Sequence, residues 1–114
     1  MEIVSTAKVL TLIALVDRRV VDREAVLAWH DLIGDLSERD ALDAVRAHRR
    51  ESTEYLVPAH VVAGVRRIRN ERLAKHGPVL PDVDPADVAA YQAERRRLLT
   101  QIADGHINPN QIGA

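Results

Sequence analysis

Aliphatic residues at helical spacing, interrupted at Gly34, Pro58 and Gly77-Pro78, decide what this chain can fold into. Apolar side chains recur three and four positions apart. No stretch alternates with the period of two that marks a half-buried strand, and no hairpin turn sits between β-branched runs. The expectation is an all-α protein: a compact bundle of four helices plus a C-terminal helix after a Pro-rich linker. Residues 1–77 would form the bundle domain, 78–85 the linker, and 86–114 an amphipathic helix with a frayed tail, "GHINPNQIGA".

The punctuation places the elements. A first helix is predicted over 4–17, with Val9, Leu12, Ile13 and Val16 inward. Leu10 and Leu15 make its other sides apolar too, which suggests the most enclosed helix of the set. Asp22 suits an N-cap, and Val21 with Val26 forms a hydrophobic staple. Helix two then carries Val26, Trp29, His30 and Ile33 on one face to Gly34. Ser37-Glu-Arg-Asp40 opens helix three in the manner of a capping box, and Ala41, Leu42, Val45 and His48 continue an inward stripe to Arg50. Proline disfavours helix in the residue before it and suits a first helical turn, so 52–57 should be an extended elbow and Pro58 the start of helix four, over 58–76. The last helix is predicted over 85–104 from Asp84-Pro85, on Val88, Tyr91, Leu98, Leu99 and Ile102.

Composition narrows the chemistry. With no cysteine there is no disulfide, thiolate metal site or cysteine nucleophile, which suits a reducing cytoplasm. The apolar run Val9–Val16, flanked by Lys8 and Asp17-Arg18-Arg19, is too short to span a bilayer, so no membrane is implied. Glycine is too sparse for a phosphate loop, and Ser37, Ser52 and Thr53 stand at helix ends without a nucleophile motif. His30, His48 and His60 could meet if helices two to four pack together. However, no His-Glu-x-x-His or paired i, i+4 histidine occurs, and core histidines held by hydrogen bonds account for them. The expectation is a non-enzymatic protein without a cofactor.

The charge points to a partner. Net charge is −1, yet residues 17–44 balance at −4 and residues 45–76 at +5, and fourteen of the sixteen basic residues are arginine. Segments of opposite sign suggest internal pairing or a localised docking face. Arg49, Arg50, Arg66 and Arg67 border the elbow with Tyr55, while Arg69 and Arg72 fall within the apolar stripe of helix four, where they either pair with acids or mark its exit from the core. Together with Tyr91, Leu98 and Ile102 of the last helix, which can dock on its own domain or in a partner's groove, Arg49, Arg50, Tyr55, Arg66, Arg67 and Arg69 are the candidate partner-binding residues. DNA is the secondary reading. The helix–turn–helix at 22–50 would present Glu38, Asp40 and Asp43 to phosphates, leaving Arg46, Arg49, Arg50 and helix four for sequence-independent contact. A helical interaction module with another host partner is a further alternative.

The pieces in order, "VLAWHDLIGDL" with Trp29, "ALDAVRAHRREST" with Ala44, Val45 and His48, then "STEYLVPAHV" with Pro58 and Ala59, resemble small phage-encoded helicase loader or inhibitor proteins and similar small helical proteins of actinobacterial phages and prophages. The resemblance covers residues 4–70. It implies a helical N-terminal domain, a flexible C-terminal segment, and binding to the bacterial-type replicative helicase, which the protein either recruits or holds inactive.

Overall fold

The computed structural model describes residues 1–106, and among them all regular structure is helical. Five helices follow in order: α1 (Ile3–Asp17), α2 (Arg23–Ile33), α3 (Glu38–Glu51), α4 (Pro58–His76) and α5 (Val88–Ala103). None is long and apolar enough to cross a membrane. The expected frayed tail lies, from residue 107 on, outside the described residues.

Local chemistry starts and stops the helices much as the punctuation predicts. Asp22 accepts from the Ala25 amide at 2.8 Å and Ser37 Oγ from the Asp40 amide at 3.1 Å, so each cap satisfies a donor that the first helical turn leaves open. Gly34 caps α2 in the right-handed region, at φ −63°, so its role is not conformational freedom. A Cβ there would lie 2.8 Å from the His30 ring. Arg18 closes α1 in a left-handed conformation, at φ 59°, with its amide bonded to the Ala14 carbonyl. The last helix starts later than predicted: Asp87, not Asp84, is the N-cap, and 85–87 form a turn.

The chain parts into two compact units, Met1–Arg66 and a second from Arg67 onward. The division falls inside α4, not at the expected linker over 78–85. The sequence shows proline in that linker but gives no sign that the second half of α4 belongs to the same unit as α5.

In the first unit α1 packs on α2 and α3. Val9, Leu10 and Ile13 of α1, Ile33 of α2, and Ala41 and Ala44 of α3 are all nearly fully buried. The inward face of α1 is not the one expected. Thr6, Val9, Leu10 and Ile13 face in, while Leu12 is 47 % exposed and Val16 69 % exposed. Because α1 is apolar on every side, aliphatic periodicity gives it no direction. Polar contacts do: the Thr6 hydroxyl meets the His30 Nδ1 at 2.8 Å and Ser5 donates to Glu38 at 3.1 Å, and turning the helix would separate them. As expected, α1 is the central helix, since α2 and α3 both pack on it, but it is not enclosed on every side: Val4 and Leu15 are also largely exposed.

Gly64 sets how closely α4 approaches α3. A Cβ at this position would stand 2.7 Å from the Cβ of Ala44, nearer than two carbons tolerate. In the second unit, Arg69 bonds to Asp104 and Arg72 donates to the Ala103 carbonyl at 2.9 Å, joining the end of α4 to the end of α5. Ile102 and Ala103 are buried there.

Candidate docking surface at the elbow

The elbow, residues 52–57, is held by one carboxylate and two histidines. Asp17, the last residue of α1, receives Arg19 through Nε at 2.9–3.0 Å and through Nη2. It also receives Arg49 of α3 at 3.0 Å. Each guanidinium has a second task. Arg19 donates to the Leu56 carbonyl at 2.7 Å, and Arg49 donates to the Ile13 carbonyl at 2.9 Å. One acid thus ties the end of α1 to the flank of α3 and to the elbow. The Arg19 guanidinium also lies over the Tyr55 ring, 4.2 Å from its centroid, and 5.5 Å from that of Trp29. The paired arginines hold the Asp17 carboxyl down at about 2, the Arg19 hydrogen bond contributing most.

His48 and His60 stack with ring centroids 4.2 Å apart. The Val57 amide donates to His60 Nδ1 at 3.0 Å, which requires that nitrogen to be unprotonated. The ring hydrogen therefore sits on Nε2, which faces the Glu54 carboxylate at 3.2 Å. His48 Nε2 donates to the Glu54 carbonyl at 2.8 Å. Of the three histidines that could have met, His48 and His60 stack, while His30 is bonded to Thr6 instead. Among the described residues no group of three or more His, Asp and Glu side chains is placed to hold a metal ion.

Two cavities border the elbow. One, of about 270 Å³, is lined by Asp17, His48, Arg49, Ser52, Glu54 and Tyr55 among others. The other, of about 570 Å³, is lined by Leu32, Val57, Pro58, Ala59, Val62, Ala63 and Arg66, with the arginine as its one charged residue.

The candidate partner-binding residues separate accordingly. Arg50 and Arg66 are exposed, as are Tyr55, at 61 %, and Arg67, which is engaged in a further interaction. Tyr91 and Leu98 of α5 are half-buried. Three others are taken up by the chain itself. Arg49 is 20 % exposed and bound to Asp17, Arg69 is bonded to Asp104, and Ile102 is 1 % exposed. An arginine already satisfied by a shielded carboxylate, or an isoleucine already covered, has little surface left to give. Spacing alone did not point to Asp17, Arg19 or the apolar groove. For the groove a signal existed in the small pair Ala59 and Ala63, one turn apart on α4 beside Val62. For the Asp17 cluster none did, because its members come from three places in the chain. No protein-family model, curated protein or solved structure matches this chain.

Proposed function

We propose that this protein is a non-enzymatic binding protein of phage or prophage origin that engages a bacterial-type replicative helicase in the cytoplasm of the host, as loader or inhibitor of replication. The observation that carries the protein-binding part is the company kept by the exposed arginines. Arg50 and Arg66 are exposed near the elbow, together with Tyr55, Val57 and Leu32, large apolar side chains that are 61, 38 and 55 % exposed. Mixed apolar and arginine surface is what protein interfaces favour over ordinary surface. The choice of helicase rests on the resemblance in residues 4–70. In this reading α1, α2, α3 and the start of α4 act as a four-helix bundle that carries a docking face, and Tyr91 and Leu98 of α5 are contacts that the second unit offers by itself.

DNA binding has less to stand on. Of the basic groups it would use, Arg49 is bound to the shielded Asp17 and Arg46 is paired with Asp43 at 3.0 Å, which leaves Arg50 and the exposed arginines of α4. Co-elution of purified protein with the host helicase tests the proposal. Complex formation that weakens on Arg50→Glu and Arg66→Glu is the expected result. A helicase that passes through the column unretarded, alongside intact folded protein, ends the helicase assignment.

A further inference from the structure

The groove between α2 and the start of α4 has a simple chemical character. Leu32 of α2, Val57 and Pro58 of the elbow and Val62 of α4 line it. Ala59 and Ala63, four residues apart on α4, add only methyl groups to the lining, so a second helix can bring its backbone close. Arg66 stands one turn beyond Val62. It is exposed, and among the described residues no ion pair holds it. A small-molecule pocket would converge several polar groups on its ligand, whereas this groove offers one.

From this we infer that the groove takes an amphipathic helix of the protein partner, which seats aliphatic side chains against Leu32, Val57 and Val62 and sets an Asp or Glu against Arg66. The inference rests on the protein-binding reading above and deepens it. Charge decides between candidate occupants. The exposed apolar face of α1, with Val4, Leu12 and Leu15, is the obvious helix a second copy could offer, but it carries Lys8 among those anchors and Arg18 as its cap. Such a helix would bring a cation to Arg66. A partner helix with an acid one turn beyond its last anchor satisfies the guanidinium and leaves no buried charge uncompensated.

Selection from a displayed library of helical peptides, using the full chain as bait, tests this directly. Enriched peptides are expected to share aliphatic residues at i, i+3 or i+4 and i+7 with an Asp or Glu near one end. In ¹⁵N-labelled protein they should shift the amides of Leu32, Val57 and residues 59–66. Arg66→Glu is expected to weaken them by at least about tenfold. Ala63→Trp, a change at an exposed helical position, should block the groove. No enrichment, enrichment without an acidic position, or binding indifferent to both variants overturns the inference. So does a concentration-dependent dimer in sedimentation that Ala63→Trp abolishes, because the occupant is then a second copy. Helicase co-elution with the same variants separates the two claims. Retention of helicase by Arg66→Glu and Ala63→Trp removes the groove and spares the helicase reading. Groove-binding peptides without helicase binding do the reverse.

Discussion

The cavities on either side of Leu56 and Val57 are made of opposite materials, and the difference separates what holds this protein together from what it can offer. Around the first, Asp17 receives two guanidinium groups that also reach backbone carbonyls, and all three side chains are at most 20 % exposed. Around the second, aliphatic surface lies open beside one arginine with no acid on it. Charge that is paired and shielded fixes geometry. Charge left in water next to apolar surface is available to a partner at small cost to the fold. Arg49 and Arg50 adjoin in sequence and fall on opposite sides of this distinction.

The largest expected effect lies in the Asp17 cluster. Asp17→Ala leaves Arg19 and Arg49 shielded and without their carboxylate, which should cost about 3 kcal/mol, read from the denaturant midpoint of unfolding. An effect under about 0.5 kcal/mol, the ordinary size for a surface substitution, would erase the contrast between the two cavities.

The same cluster gives a pH signature. The Asp17 carboxyl is held at about 2 in the folded protein against an ordinary value of 3.8, so folding favours its ionised form. The stability this contributes is fully present above about pH 4 and is lost as pH falls through 2, with a size of about 2 kcal/mol. Unfolding free energy measured from pH 5 to 2 should fall more steeply in the parent protein than in Asp17→Ala. Parallel curves would mean the carboxylate is not what the arginines hold.

How much of this was legible in the sequence depends on the range of each interaction. Helix ends are local: Asp22 and Ser37 mark them because their capping partners lie three residues on, and Pro58 because its fixed φ and missing N–H suit a first helical position. Facing is also legible where one side of a helix is polar, as in α2 with Trp29 and Ile33 inward. It failed in α1, where every side is apolar and polar contacts such as Thr6–His30 and Ser5–Glu38 mark the inward face. Arginine exposure was half legible. Arg50 and Arg66 are exposed as expected, while Arg49 and Arg69 are bound by Asp17 and Asp104, 32 and 35 residues away in the chain. A pairing at that distance leaves no periodic trace.

A smaller effect concerns the helix that carries the groove. Gly64→Ala places a Cβ 2.7 Å from that of Ala44, so α4 must shift away from α3. The expected cost is about 1–2 kcal/mol in unfolding free energy. Ala44→Gly in the same chain should recover part of it, since it removes the opposing atom, although each glycine weakens a helix by about 1 kcal/mol. If Gly64→Ala is neutral alone, the α3–α4 approach is looser than the geometry implies, and the groove wall formed by Val62 is correspondingly less fixed.

The smallest stability effect should come from Arg66, and its smallness is what the contrast requires. No ion pair among the described residues depends on this guanidinium, and its side chain is exposed, so Arg66→Ala should move unfolding free energy by less than about 0.5 kcal/mol. Asp17→Ala should move it several times more. Thermal unfolding of the two variants side by side measures the ratio. A large loss for Arg66→Ala would place that arginine among the groups that hold the fold, and the groove would then lose the charge that makes it a docking site. A near-zero loss, joined to weaker peptide or helicase binding by the same variant, is the combination that only a residue reserved for a partner produces.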